Sequence, residues 1–153
     1  MERRDILELE PIGVIHSPYR RGQAPYQGRG EEEICEVEVF KRFEKGLKDI
    51  EGFSHIVLIY WFHQSKGYSL VVRTPWEVTP HGLFATRSPN RPCPLGLSVV
   101  RLVAREKNVL KVKDLDAIDG TPLLDIKPYV PAIDEEDRVK IGWLENKLRT
   151  KRS

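Results

Sequence analysis

The sequence predicts a mainly β, single-domain protein, an antiparallel barrel or sandwich with a few short helices, including one at the C-terminus. Many short segments are rich in Val, Ile and Leu, and turn signals separate them. Alternating strand–helix–strand units, which would indicate a parallel sheet, are missing. A chain of 153 residues with 40% hydrophobic residues suits one domain with a real core.

The first half of the chain is predicted to hold three strands and a short helix. The first strand covers residues 12–16, and a Gly/Pro-rich loop, RRGQAPYQGRG, follows it. In EICEVEVF, Cys35, Val37 and Val39 alternate with glutamates, which is typical of a half-buried strand. KRFEKGLKDIEGF predicts a helix that ends near Gly52. SHIVLIYWF is β-branched and aromatic, and predicts a fully buried strand.

The second half is predicted to hold several more strands and the C-terminal helix. The candidate strands are YSLVVRTP, GLFATRS, GLSVVRLVARE and NVLKVKDLDAI. Asn108 lies where the last two would reverse into a hairpin, and Asp119–Gly120 is a strong turn signal. EEDRVKIGWLENKLRTK predicts a helix that Gly142 weakens in the middle.

Charge divides the chain into two parts. We expect residues 1–133 to form the β domain and residues 134–153 to form an acidic-then-basic helix or tail. From Arg138 onward the chain carries six Lys/Arg and one Glu. This end is either a solvated helix or a contact surface for nucleic acid, with Lys147 and Arg149 as candidates.

Several classes of function lack their signals. The N-terminus has no signal-peptide stretch, and the longest apolar run is too short for a membrane span. The two cysteines form no CxxC motif, and the four histidines have no metal-ligand spacing. No G-x-S-x-G elbow is present. We therefore expect a cytoplasmic protein with no membrane and no metal.

One loop is predicted to bind an anion. RSPNRPCP places Arg87 and Arg91 on a backbone stiffened by three prolines. A pre-oriented guanidinium binds a carboxylate or phosphate through two hydrogen bonds. On residue types alone, a solvated surface loop is an equal alternative. Two more segments, His63–Gln64 and Asp119–Thr121, are either pocket walls or plain turns.

Four segments together resemble the TsaA/TrmO-like family. They are PIGVIHSPY, FSHIVLIYWFHQ, GLFATRSPNRPCPLGLSVVRL and LDAIDGTPLLDIKPYVP, within residues 11–131. The resemblance implies a small antiparallel β-barrel, and it implies a homodimer with its cofactor near the interface. It also implies an S-adenosylmethionine (SAM)-dependent methyltransferase acting on N6 of threonylcarbamoyladenosine at position 37 of tRNA.

The same resemblance implies a set of cofactor-binding residues: Tyr26, Gln27, Gly28, His63, Gln64, Arg87, Leu97, Asp119, Gly120, Thr121 and Pro122. Arg87 would meet the SAM carboxylate, Asp119 the ammonium or ribose, and Leu97 the adenine. Asp119 and Tyr129 are weak candidates for the proton acceptor. Arg91 faces cofactor, RNA or partner subunit. The chain departs from the family pattern at Tyr26, where Arg is usual, and at Cys93, where Asn is usual.

Two other functions fit the same residues. One is a SAM methyltransferase that acts on another RNA or on a small metabolite. The other is a non-enzymatic module that binds SAM or a nucleotide.

Overall fold

A closed six-stranded antiparallel barrel forms the body of the protein. The computed structural model describes residues 5–20 and 33–148. In chain order the strands are β1 (Gly13–His16), β2 (Cys35–Val39), β3 (His55–Trp61), β4 (Val71–Thr74), β5 (Glu77–Gly82), β6 (Leu95–Glu106), β7 (Val109–Lys113) and β8 (Thr121–Pro128). The barrel order is β1-β2-β7-β6-β3-β8, and β4 and β5 form a separate two-stranded sheet. The predicted fold class is confirmed.

Every neighbouring pair in the barrel is antiparallel, so strand directions alternate around it. As a consequence β1, β3 and β7 finish at the end of the barrel where β2, β6 and β8 begin. We call this the loop end. Three connections meet there, covering residues 17–34, 62–94 and 114–120.

The core lies inside the barrel, where inward-facing side chains from all six strands pack together. On β2, Cys35, Val37 and Val39 are buried, as predicted from their alternation. On β3, Ile56 and Leu58 are buried, whereas the intervening residues are only half-buried on the outside. The prediction of a strand buried on both faces is therefore wrong, because a barrel has a single interior.

The connection from β2 to β3 closes the opposite end of the barrel. It consists of two 3₁₀ helices, Lys41–Leu47 and Ile50–Gly52, which match the predicted short helix. Leu47 and Ile50 are buried in the core cluster, and Phe43 packs against it. The β6–β7 hairpin lies at this end and turns at Lys107–Asn108 as predicted. The Asn108 side-chain amide donates to the Val39 carbonyl at 2.8 Å.

The connection from β3 to β6 contains the separate β4–β5 sheet. YSLVVRTP predicts β4, whereas β5 was not predicted from the sequence. GLFATRS is not a strand: Leu83–Ala85 forms a 3₁₀ helix. Leu83 is 1% exposed and its backbone N–H donates to the Leu70 carbonyl. The Thr86 hydroxyl donates to the Leu83 carbonyl at 2.7 Å, which holds the turn closed.

The predicted C-terminal helix is wrong over the described residues. This region contains the single-turn α1 (Pro131–Asp134) and a 3₁₀ turn at Gly142–Leu144. Gly142 and Asn146 have φ angles of 56° and 64°, and such left-handed residues interrupt a helix. Tertiary contacts favour the irregular path, because Trp143 stacks on His81 with ring centroids 4.0 Å apart. None of the helices in the described ranges has the length and apolar character that crossing a bilayer requires.

Gly13 gives a direct test of barrel closure. A Cβ at this position would lie 2.0 Å from the Glu38 carbonyl oxygen on β2. We expect Gly13→Ala to lower the free energy of unfolding by about 3 kcal/mol, because backbone atoms must move apart. Gly46→Ala is the matched control, because its Cβ would meet nothing within 4 Å. Urea denaturation measures both, and equal stability of the two variants would contradict the tight β1–β2 contact.

Candidate functional site

The loop end gathers most of the predicted site residues. His63 and Gln64 follow β3, and Arg87 lies in the same connection ahead of β6. Asp119 and Gly120 form the turn that enters β8, and Thr121 and Pro122 are its first residues. Leu97 lies on the outer face of β6, paired with Ile59, and is 53% exposed. Tyr26, Gln27 and Gly28 lie outside the described residues.

A polar cluster forms the inner floor of this end. The Tyr60 hydroxyl donates to Asp116 Oδ1 at 3.1 Å and contacts Ser98 Oγ at 2.8 Å. Ser98 Oγ also donates to Asp116 Oδ1 at 3.3 Å. Tyr60 fits because Gly96 has no side chain: a Cβ there would lie 2.3 Å from its ring.

The pKa of Tyr60 also indicates where Arg87 lies. Burial raises the pKa of Tyr60, and the Asp116 carboxylate raises this pKa further, while the positive charge of Arg87 lowers it. The electrostatic influence indicates that Arg87 lies near the cluster, and its side chain is exposed. A cation at the mouth and a carboxylate at the floor give this end of the barrel both signs of charge.

Sequence reasoning missed Tyr60, Ser98 and Asp116 as a group. A usable signal exists, because Ser98 is a polar residue on the inward-facing row of β6, between Gly96 and Val100. A polar group on the inward face of a barrel strand requires a partner. That partner, Asp116, comes from a different connection, and its position depends on how β7 and β8 are joined.

Arg91 is held within its own loop. Its Nη1 atom donates to the carbonyl oxygens of Leu83, Thr86 and Ser88 at 3.3, 2.9 and 3.2 Å. Its guanidinium also lies 5.8 Å from the Phe84 ring centroid. These contacts orient Arg91 toward the backbone of residues 83–88.

Two parts of the 62–94 connection are fastened to each other. The Ser65 hydroxyl contacts the Pro89 carbonyl at 3.1 Å and Asn90 Oδ1 at 2.8 Å. The Phe62 N–H donates to the Pro94 carbonyl at 2.8 Å. His63 lies beside these contacts, and its Nδ1 is buried without a hydrogen-bond partner among the described residues. An orphaned ring nitrogen of this kind is suited to a polar ligand group.

The Asp119–Thr121 segment is fixed by hydrogen bonds to the end of β1 and within the turn. Asp119 Oδ1 accepts from the Ser17 N–H at 3.0 Å, and the Thr121 hydroxyl donates to the Ile118 carbonyl at 2.6 Å. Gly120 has a φ of 84°, which a residue with a Cβ rarely adopts. The prediction of a turn in this segment is correct, and the exposed Asp119 and Gly120 also face the loop end.

Two predicted residues, Tyr129 and Lys147, do not join this group. Tyr129 follows the last residue of β8, roughly 25 Å of strand from the loop end, and bonds to Glu135. The Lys147 ammonium contacts Glu77 Oε2 at 3.3 Å. Arg149 lies outside the described residues. Cys93 is in the loop as an exposed free thiol.

Away from the loop end, the described structure does not bring predicted site residues together. Two surface hollows, of about 350 and 370 Å³, lie toward the opposite end, near the 3₁₀ helices. Neither is lined by one of the predicted site residues, although Ile12, Asp125 and Ile126 of the second hollow belong to the family motifs. Within residues 5–20 and 33–148, no three His, Cys, Asp or Glu side chains converge as metal ligands would.

The family model and two similar curated proteins point to the same family. The model of the tRNA-methyltransferase O N-terminal domain matches residues 14–135. A "probable S-adenosyl-L-methionine-binding protein" of Pyrococcus abyssi is 54% identical over 140 residues, covering 90% of this chain and 76% of that protein. The tRNA (adenine(37)-N6)-methyltransferase of Escherichia coli is 38% identical, covering 81% of this chain and 58% of that protein.

A similar solved structure also comes from this family. TrmO from Pseudomonas aeruginosa superimposes with a TM-score of 0.77 at 34% identity, covering 90% of this chain and 62% of that chain. The chain therefore spans less than two thirds of the Escherichia methyltransferase and of the Pseudomonas structure.

The Tyr60 cluster gives a stability prediction. Tyr60→Phe removes the hydroxyl that Asp116 and Ser98 share, and we expect a loss of about 1–3 kcal/mol in the free energy of unfolding. Tyr68→Phe is the control, because Tyr68 is 55% exposed. Urea unfolding at neutral pH measures both, and a neutral Tyr60→Phe would contradict the cluster.

The same cluster predicts a pH dependence. The raised pKa of Tyr60 means that its neutral form is favoured by folding. Its contribution is complete below the unfolded pKa of about 10 and is lost as pH rises above that value. We expect the alkaline loss of stability to be smaller in Tyr60→Phe than in the parent. Melting temperatures between pH 8 and about pH 11 test this, and parallel curves would contradict it.

Proposed function

The chain belongs to the tRNA-methyltransferase O N-terminal domain family, and from this membership we propose that it is a SAM-dependent methyltransferase. The proposed reaction transfers a methyl group to N6 of threonylcarbamoyladenosine at position 37 of tRNA. The observation that carries the proposal is the meeting of the motif segments at the loop end. Strand alternation brings His63, Arg87 and Asp119 there from distant parts of the sequence.

The described residues at the loop end fit SAM. The exposed Arg87 guanidinium suits the SAM carboxylate, to which it can donate two hydrogen bonds. His63 Nδ1, buried and unpartnered, suits a ribose hydroxyl. The backbone at Gly120 is open, because a Cβ added there would meet nothing within 4 Å, so a ligand can approach the turn closely. Leu97 supplies apolar cover for the adenine, and Gln64, Thr121 and Pro122 border the same end.

The protein contributes chiefly alignment. The sulfonium of SAM supplies an activated methyl group, so little acid–base assistance is needed. Arg87 and the internally hydrogen-bonded 62–94 connection orient the donor. Tyr26, Gln27 and Gly28 lie outside the described residues, between β1 and β2 in the sequence, and are proposed to complete the cofactor site.

We propose that a carboxylate oxygen of Asp119 accepts the proton that leaves N6 of the adenosine. Asp119 is exposed at the loop end, and only one of its oxygens, Oδ1, is bonded to the Ser17 N–H in the described structure. The other initial candidate, Tyr129, lies beyond the far end of β8. That separation supports Asp119 over Tyr129 within one subunit.

We propose tRNA as the macromolecular partner, and the composition of the 62–94 connection supports it. The connection carries Lys66, Arg73, Arg87 and Arg91 against one carboxylate, Glu77. Excess positive charge beside the pocket favours a phosphate backbone. The cytoplasm is the proposed compartment, and the two free thiols, Cys35 and Cys93, are consistent with its reducing conditions.

A homodimer is proposed on the basis of the outer surface of β3 and β6. This surface has apolar side chains on both strands, with Trp61 43%, Leu95 37% and Leu97 53% exposed. Val57, Ile59 and Val99 lie between them and are half-buried. A continuous apolar surface of this kind is typical of a subunit interface. Because Leu97 belongs to it, the interface and the cofactor would be adjacent.

The activity is tested with SAM and two tRNA pools, one threonylcarbamoylated at position 37 and one unmodified. We expect a new methylated nucleoside in the first pool only, detected by mass spectrometry of digested tRNA. Methylation of another RNA or a small metabolite instead would identify a different substrate. SAM binding without transfer to any of these would indicate a non-enzymatic binding module.

The cofactor site is tested by Arg87→Ala. We expect SAM affinity to fall about 10- to 100-fold, because a charge-assisted hydrogen bond contributes about 1.5–3 kcal/mol. The melting temperature should not change, since Arg87 is exposed. Arg73→Ala is the control: Arg73 is exposed in the same connection and makes no hydrogen bond or ion pair to a described residue. Isothermal calorimetry measures both, and equal SAM affinities would contradict the assignment.

The dimer is tested by Leu97→Asp. A carboxylate on this surface should dissociate the subunits, because burying an unpaired charge is costly. Ile133→Asp, at a residue that is 78% exposed on α1, is the control and should leave the mass unchanged. Light scattering after gel filtration gives both masses. A parent protein that is monomeric, or a dimeric Leu97→Asp, would exclude this interface.

A further inference from the structure

The segment 83–91 is organised around one guanidinium. Three backbone carbonyls, those of Leu83, Thr86 and Ser88, converge on Nη1 of Arg91 within 3.3 Å. The segment is also anchored at its start, where Leu83 is buried, and at Ala85, whose carbonyl accepts from Trp143 Nε1 at 2.9 Å. Arg91 therefore connects the anchored start of the segment to its exposed tip.

Arg87 occupies that tip. The Thr86 carbonyl belongs to the peptide unit that precedes the Arg87 Cα, and the Ser88 carbonyl lies one residue beyond it. Because Arg91 bonds both, it fixes the backbone on each side of Arg87. The direction in which the Arg87 side chain leaves the backbone depends on the two peptide planes that flank its Cα. Arg91 holds the first of these directly, through the Thr86 carbonyl, and restrains the second from one residue beyond, through the Ser88 carbonyl.

A partly buried arginine is a costly way to hold a surface loop together, because its charge loses part of its contact with water. Arg91 is only partly exposed, and its described partners are carbonyl dipoles rather than a carboxylate. Three carbonyls of its own loop accept from this guanidinium, so Arg91 acts on the backbone of the loop.

We propose that Arg91 is a positioning residue, which holds Arg87 in the orientation that meets the carboxylate of SAM. This inference rests on the proposed function, because SAM is the assumed ligand of Arg87. Arg91 does not itself touch the cofactor. Its effect on binding passes through residues 83–88 and requires Arg87 to be present.

A double-mutant cycle tests this dependence. Arg91→Ala should weaken SAM binding about tenfold, and the double variant Arg87→Ala/Arg91→Ala should bind SAM as Arg87→Ala does, within about twofold. Arg91→Lys should regain part of the affinity, because the lysine ammonium carries three donors that can reach the same carbonyls. Arg73→Ala serves again as the control. Additive losses in the double variant would overturn the proposal.

The ligand 5′-methylthioadenosine separates positioning from general damage. It keeps the adenosine portion of SAM but lacks the carboxylate and the ammonium. We expect Arg91→Ala to bind it as the parent protein does, within about twofold. An equal loss for SAM and for 5′-methylthioadenosine would overturn the proposal, since it would show a pocket that is disturbed as a whole.

Hydrogen exchange on the ligand-free protein gives a readout that does not depend on SAM. Arg91→Ala should speed amide exchange within residues 83–91 at least about fivefold, while the exchange of β3 and β6 stays unchanged. Unchanged exchange in this segment would overturn the role of Arg91 even if Arg87→Ala weakens SAM binding. Conversely, a parent protein that does not bind SAM would reject the proposed function, while faster exchange would still show that Arg91 orders the loop.

Discussion

Closure of six antiparallel strands into one barrel is the constraint on which the candidate site depends. Each strand must run opposite to both neighbours, so the connections that follow β1, β3 and β7 all emerge at the same end. Segments separated by 100 residues in the chain, such as Ser17 and Ala117, are thereby held within hydrogen-bonding distance. The hydrophobic core maintains this arrangement, because inward-facing residues such as Ile15, Leu58 and Val100 are fully buried on different strands.

The loop end combines the hydrogen-bonded floor with a 62–94 connection that is fixed by its own hydrogen bonds. Tyr60, Ser98 and Asp116 share hydrogen bonds inside the barrel, where Gly96 leaves room for the tyrosine ring. Above them, Ser65 fastens one part of the 62–94 connection to another. Little reorganisation is then needed when a ligand binds, and alignment of two substrates is the main requirement of methyl transfer from a sulfonium.

The C-terminal segment shows how tertiary contacts outweigh local helix propensity. Its sequence contains good helix formers, yet Trp143 stacks on His81, and Lys147 contacts Glu77, which also bonds to His81. These contacts attach the C-terminal segment to the β4–β5 sheet and to Ala85 in the segment 83–91. Gly142 and Asn146 permit the required left-handed turns. The conformation of the C-terminal segment and that of residues 83–91 are therefore coupled.

The sequence by itself determined the mainly β class, the inward row of β2, the β6–β7 turn and the family, because these depend on local alternation, turn residues and long motifs. It also named His63, Arg87 and Asp119. Only the tertiary structure decided that β3 is buried on one side, that GLFATRS is a 3₁₀ turn, and that Tyr129 lies at the other end. Only the tertiary structure shows that Tyr60, Ser98 and Asp116 share hydrogen bonds. It also shows that Arg91 donates to backbone carbonyls of its own loop. These features depend on which distant segments barrel closure brings together, and no local pattern encodes that.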